Sequence, residues 1–263
     1  MKLNNALIVY TSPTTSEYKS ALNLVKSRLK KYNINFHLAD RDRLIEPQFA
    51  GKDLIIAVGG DGTFLRAAQF INQQYLFGVN ADVKNKEGFF MQSSKKDFGI
   101  KLKKIIDGEF AIKKMPRLEA FINNKKIETL ALNEFFVGPK KSYHAAKYII
   151  MINGEKERQK SSGILVTTPA GSYAWARACS SKTLDLKSDK FQFVVREPYE
   201  GKVFKNYKLK YGILDKSKKM TVISEMLDGI LIADSVGKEY SLKNGSKATI
   251  GLSSSHLRVI WPK

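Results

Sequence analysis

The 263-residue chain carries 45 basic and 25 acidic side chains, a net charge of +20, and 43% of its residues are hydrophobic. That length allows one large domain or two modest ones, the apolar content is ordinary for a globular protein, and a lone cysteine, Cys179, rules out an intrachain disulfide. The N-terminal apolar run stops at Thr11, too short for a signal peptide, and no stretch approaches about 18 apolar residues, so the cytoplasm is the expected compartment and no membrane span is expected. The basic excess is heavier after residue 110 and attracts anions. Clusters such as KLKK (101–104) and KSKK (216–219) come without zinc-finger spacing or an RNA-binding aromatic motif, so neither nucleic acid nor a membrane is the expected partner.

In chain order, NALIVY (5–10) reads as a buried strand, and Leu22, Val25 and Leu29 then recur at helical spacing within 16–31. DLIIAV (53–58) is too short for a helix and runs into two glycines, as a buried parallel strand does. FLRAAQFI suits a helix, and YLFGVN (75–80) is the next strand, so the first part is predicted to be an open α/β sheet. Past residue 108 the pattern changes to short strand-like runs: RLEAFIN, ALNEFFVG, AKYIIMI, GILVTT, FQFVVRE, KMTVISEM, GILIAD and KATIGLS. Turns such as INNK and INGE separate some of them, which predicts an antiparallel, β-rich (α+β) domain. A helix is expected at 171–180, and the final HLRVIWP is a strand whose sheet the pattern leaves open. The predicted division is an α/β domain over 1–108, completed by 252–263, and a β-rich domain over 109–251.

Two glycine-rich turns carry chemistry. In AVGGDGTFLRAA a strand delivers the chain to Gly59, Gly60, Asp61, Gly62 and Thr63, and a helix begins. Glycines permit backbone angles and close approaches that side chains forbid, and amides at a helix start hold phosphate oxygens. Thr63 either caps the helix or touches a phosphate. Asp61 is the unusual member: a carboxylate beside a phosphate site binds Mg²⁺, orients a hydroxyl nucleophile or takes its proton. Neither GxxxxGK[ST] nor GxGxxG is present, which excludes a P-loop and a standard dinucleotide fingerprint. In the second segment, GILVTT runs into Pro169, Ala170, Gly171 and Ser172, where Thr167, Thr168 and Ser172 offer hydroxyls, and Tyr173 and Trp175 either stack on a base or pack internally. Asn133 and Glu134 are polar between apolar runs, suited to an adenine edge or ribose hydroxyls. Arg117 is a candidate phosphate contact, and Arg196 with Glu197 a candidate pair lining a cleft. His37, His144 and His256 are scattered without metal-ligand spacing, so no protein-held metal site is expected.

Taken together, GGDGTFLRAA (59–68), LNE (132–134) and GILVTTPAGSYAW (163–175) resemble the NAD kinases, and the pairing of SYAW with VVREP (194–198) is more similar to the branch containing the mitochondrial members. The resemblance implies an active site in the cleft between an N-terminal α/β and a C-terminal β-rich domain. It also implies a homodimer or homotetramer, and transfer of phosphate from ATP, with Mg²⁺ or another divalent cation, to the 2′-hydroxyl of the adenosine ribose of NAD. Asp61 then matches the catalytic aspartate, Gly60, Gly62 and Thr63 its phosphate-facing turn, and Phe89 an aromatic near adenine. Asn133 and Glu134 match the pair that holds NAD, Thr168 and Gly171 the second turn, and Ala174 and Trp175 part of the NAD pocket. The sequence departs from the family at Ser162, where an aspartate is usual, at Ala170, at Tyr173, which replaces a threonine, and at Trp175, which replaces a tyrosine. These changes leave dinucleotide orientation, and the choice between NAD and NADH, open. A lipid kinase of the diacylglycerol type and a non-catalytic NAD sensor are the alternative readings.

Overall fold

The computed structural model describes residues 3–12 and 15–262 and divides into two compact units, Met1–Lys114 with Leu257–Lys263, and Met115–His256. In the first, β1 (Asn5–Tyr10) leads to helix α1 (Ser16–Lys31), β2 (Asn35–Asp40), β3 (Leu54–Gly59), α2 (Asp61–Ala68), β4 (Tyr75–Asn80), the two-residue β5 (Ser93–Ser94), α3 (Phe98–Ile106) and β6 (Phe110–Met115). The sheet order is β2-β1-β3-β4, then the chain's final strand (Leu257–Pro262), then β6. β2, β1, β3 and β4 pair in parallel, and the final strand pairs parallel to β4. The run of buried apolar residues in β3, with every position covered, is what a parallel strand packed on both faces requires. Ala21, Val25 and Leu29 of α1 and Phe98, Leu102 and Ile105 of α3 pack onto this sheet as one core with Ile8, Ile56, Phe77 and Ile260. The last strand thus finds its sheet through apolar residues Val259 and Ile260, which are fully buried there.

The second unit is a sandwich of two antiparallel sheets. One runs β11-β10-β15-β18-β7-β8, from β7 (Leu118–Ile122), β8 (Lys125–Lys126), β10 (Ala146–Ile152), β11 (Glu155–Ser161), β15 (Met220–Ser224) and β18 (Lys247–Leu252). The other runs β14-β13-β12-β9-β16-β17, from β9 (Glu134–Pro139), β12 (Gly163–Thr167), β13 (Lys190–Arg196), β14 (Tyr211–Asp215), β16 (Gly229–Ala233) and β17 (Glu239–Ser241). Alternation sends Phe135, Val137, Ile164, Val166, Phe193 and Val195 into the shared core with Tyr148, Ile150, Val222 and Ile250. The intervening Phe136, Leu165 and Val194 face the other way and are covered by Ala176 and Trp175 of α4 (Trp175–Ala178). INNK and INGE are two-residue hairpin loops, with positive φ at Asn123, Asn124, Asn153 and Gly154, the backbone that matches strand twist. The helix expected at 171–180 is a correction. A 3₁₀ turn, Gly171–Tyr173, is followed by Ala174 in a non-helical conformation (φ −96°, ψ −131°) and only then by the four-residue α4.

Candidate active site

The glycine turn is the start of α2 itself, with Gly60 as N-cap and Asp61 as first helical residue. It sits at the carboxyl end of β3, the edge where open parallel sheets bind ligands. None of Gly59, Gly60 and Gly62 has positive φ, so the glycines serve for space and not for unusual backbone angles. A Cβ at Gly59 would collide with the Thr63 side chain. At Gly60 a Cβ would meet only the methylenes of Lys86, at 3.4 Å and beyond, and at Gly62 only Arg41 Nη1 at 3.7 Å. Those two positions thus keep the backbone bare; the Thr63 amide is taken by Gly60 O at 2.9 Å, and the Asp61 and Gly62 amides at the helix start precede the first intrahelical acceptor.

Asp61 is half-buried and held by the loop that follows β4. Its Oδ1 accepts the amide of Phe90 at 2.8 Å and its Oδ2 the amide of Phe89 at 3.1 Å. The loop reaches Asp61 because Gly88 adopts φ +69°, where a Cβ would collide with Asn80 Nδ2. Phe90 is buried against Phe64, centroids 5.2 Å apart, whereas Phe89 stands 42% exposed beside Asp61. So Gly60, Asp61, Gly62 and Phe89 come together. Thr63 does not join them as a ligand group: it is fully buried at the third helical position, and its hydroxyl bonds Thr11 Oγ1 at 2.6 Å. The cap is Gly60, so Thr63 neither caps the helix nor exposes its hydroxyl to a phosphate.

In the second unit Asn133 and Glu134 sit at the start of β9, only 7% and 3% exposed. Their backbone is fixed by Asp234, whose carboxylate accepts the amides of Leu132 (3.0 Å), Asn133 (2.6 Å) and Glu134 (3.3 Å), while its own amide donates to Glu134 O (2.8 Å). The side chains are left unsatisfied: Asn133 Oδ1, Glu134 Oε2 and the nearby Thr167 Oγ1 are buried with no hydrogen-bond partner. Orphaned buried acceptors are costly unless a ligand completes them. Burial first, and then the charge of Asp234, pushes the Glu134 carboxyl up to about 8, so at neutral pH it is protonated and can donate as well as accept. Burial raises Asp234 to about 6, opposed by the three amides and by Arg117.

Thr168 and Gly171 hold this segment in place. Thr168 Oγ1 donates to Leu132 O at 2.6 Å and accepts the Gly171 amide at 3.1 Å, and the Thr168 amide donates to Asn133 O at 2.9 Å. A Cβ at Gly171 would run into the Asn133 carbonyl, which explains the glycine. Ser172 is buried and tied to Pro169 O and the Leu184 amide. Trp175 is half-buried, 5.4 Å from the Phe136 ring with the Arg196 guanidinium 4.5 Å above it, and Tyr173 is the more exposed of the two aromatics at 39%. Ala174 is half-buried at the kink before α4. Ser162 lies outside the unpaired cluster, on the strand pair with Arg196, whose carbonyl takes its amide at 3.0 Å. Arg117, a sequence candidate for phosphate, is a correction: it is 1% exposed and clasps Ser255 through Nε (3.0 Å) and Nη2 (2.7 Å). Burial lowers it to about 10 while Asp234 supports its charge. The residue that pattern reading missed is Asp234; its signal, a lone aspartate ending the apolar run GILIAD, was present but indistinct from a turn. Among the described residues no three His, Cys, Asp or Glu side chains are grouped to hold a metal ion.

A family model described as the ATP-NAD kinase N-terminal domain matches residues 6–110, the segment holding the Asp61 turn and its loop. A probable NADH kinase of Oryza sativa is 25% identical over 282 residues, covering 99% of this chain and 86% of its own. The chain is thus similar to NAD and NADH kinases, in its N-terminal segment by the family model and over nearly its whole length by this relative. Its fold is also that of two solved kinases. The crystal structure of an NAD kinase from Archaeoglobus fulgidus in complex with ATP superposes with a TM-score of 0.79 at 23% identity, over 98% of this chain and 93% of that one. Yeast NADH kinase complexed with NADH gives 0.81 at 16% identity, over 100% and 84%. The α/β and β-rich fold classes expected from the sequence are therefore borne out. No described helix is long and apolar enough to cross a membrane.

Proposed function

We propose that this chain is an NAD kinase, transferring the terminal phosphoryl group of ATP to the 2′-hydroxyl of the adenosine ribose of NAD or NADH and making NADP(H). The observation that carries the acceptor assignment is the buried, unpartnered pair Asn133 Oδ1 and Glu134 Oε2, whose hydrogen-bonding capacity suits ribose hydroxyls or an adenine edge. Asp61 takes the hydroxyl proton. Its two oxygens are pinned by the Phe89 and Phe90 amides, each keeping lone pairs for the substrate, so the base is oriented before the ligand arrives. The 2′-oxygen bonds the terminal phosphorus, the bond to the bridging oxygen breaks, and ADP leaves. The first amides of α2, with Gly60 and Gly62 bare, hold donor phosphate oxygens, and Phe89 supports the base.

Asp61 is the one carboxylate at the turn and, among the described residues, no three His, Cys, Asp or Glu side chains form a cage, so a divalent cation would fit here as one carried by the nucleotide's phosphates, with Asp61 as its protein contact. When bound, Mg²⁺ neutralises charge on the transferring group. Homo-oligomerisation follows from the same family reading, and light scattering on the purified protein tests it. The lipid-kinase and sensor alternatives are not favoured by the similar proteins.

The test is a coupled assay for NADP(H), with ATP and Mg²⁺ and with NAD and NADH in separate reactions. Product forms, and Asp61→Asn lowers kcat by about 10²–10⁴-fold while the protein stays folded. Failure to form NADP(H) from either acceptor, or full turnover by Asp61→Asn, would overturn the assignment.

A further inference from the structure

Arg41 stands on the glycine turn with donors that the protein leaves unused. It is the first residue of a 3₁₀ turn, Arg41–Arg43, that begins where β2 ends. The turn is shaped by Asp40, whose carboxylate accepts the Asp42 amide at 2.9 Å and the Ser12 hydroxyl. This places Arg41 Nη1 3.7 Å from where a Gly62 Cβ would be. The same nitrogen donates to Thr63 Oγ1 at 3.4 Å, long for a charge-assisted bond. Its Nε is buried without a hydrogen-bond partner. Asp42 Oδ2 lies 3.7 Å from it, beyond bonding range, and Asp42 also faces Arg66 Nη2 at 3.6 Å. The side chain is nonetheless 31% exposed, so an edge of the guanidinium is open to a ligand.

A guanidinium carries five N–H donors in a planar fork, matched to two oxygens of one phosphate. Here Thr63 engages one of them, weakly. The Asp61 carboxylate is tied to the Phe89–Phe90 loop, whereas Arg41 lies against Gly62 and Thr63, so the two groups serve different parts of the turn.

Resting on the kinase reading above, we infer that Arg41 is a binding residue for the phosphates of the donor nucleotide. It clamps the polyphosphate tail over Gly60–Gly62 while Asp61 attends to the acceptor hydroxyl. Its selectivity is for the donor and not for the dinucleotide.

The experiment compares wild type, Arg41→Ala and Arg41→Lys in steady-state kinetics with each substrate varied in turn, alongside equilibrium dialysis with ATP. Arg41→Ala raises KM for ATP about 10- to 100-fold, the loss of a charge-assisted fork, and leaves KM for NAD(H) within about twofold. Arg41→Lys recovers part of the loss, since it restores charge without the fork. A rise confined to KM for NAD(H) would assign Arg41 to the acceptor's pyrophosphate instead. Unchanged ATP affinity with a lowered melting temperature would leave it a tether for Thr63. Either outcome overturns the inference. Dialysis reads ATP binding without turnover: if wild type makes no NADP(H), the kinase reading fails, yet equal ATP binding by wild type and Arg41→Ala would still sink the Arg41 assignment separately.

Discussion

Replacing Glu134 by glutamine tests whether an ionisable group is held neutral in the binding segment. The Glu134 carboxyl is raised from 4.5 to about 8, by burial first and the neighbouring Asp234 second. Because the folded value lies above the unfolded one, the carboxyl's contribution to stability is fully present below about pH 4.5 and is lost as pH rises through 8. At one pKa unit per ~1.4 kcal/mol, the loss between pH 6 and pH 9 comes to about 2–3 kcal/mol. For a chain of this size that is a fall of about 5–10 °C in melting temperature. Glutamine has the same shape and no charge to lose, so in Glu134→Gln the decline shrinks to what other groups contribute. Thermal denaturation of both proteins without ligand, in one buffer series from pH 6 to 9, measures the difference. Parallel declines in the two proteins, or no decline in wild type, would refute the claim that Glu134 is neutral when unliganded.

The second turn offers two more tests. Gly171→Ala forces a Cβ against the Asn133 carbonyl, backbone on which the binding pair rides, and costs about 2–3 kcal/mol in chemical denaturation, with KM for NAD(H) rising. Asp234→Ala strips the acceptor from the amides of Leu132, Asn133 and Glu134, at about 1–3 kcal/mol for each amide left dry. Asp234→Asn keeps one acceptor oxygen and loses less; equal losses in the two variants would mean that charge opposite Arg117, and not capture of the amides, is what Asp234 supplies.

Local pattern was enough for elements whose burial is written along the chain. The covered run of β3, the helix read from Leu22, Val25 and Leu29, and the Asn-rich hairpin loops all appear where short-range sequence places them. Strands that are polar on their own went unread: β11 is EKERQKS, and only its seven-residue antiparallel pairing with β10 makes it a strand. The helix expected at 171–180 broke for the converse reason. Its small residues permit helix, but Gly171 must pack on the Asn133 carbonyl and Trp175 must turn onto Phe136, which Ala174 accommodates by leaving the helical region.

The site divides along the same line. The residue types at 59–63, 133–134 and 168–171 were sufficient to single out the two turns, the polar pair and the resemblance to NAD kinases, because phosphate handling needs bare backbone and a carboxylate at a helix start. Which atoms are available was decided by tertiary structure alone. Thr63 and Thr168 looked like ligand groups in the sequence, yet their hydroxyls are buried in bonds to Thr11 and to Leu132. Arg117 became a buried clasp, and Asp234, a hundred residues downstream of Asn133, became the group that sets the binding pair's backbone. A side chain's identity fixes what it can bond. Its availability depends on long-range neighbours that satisfy or strand it, and those are brought together only when the sheets pair.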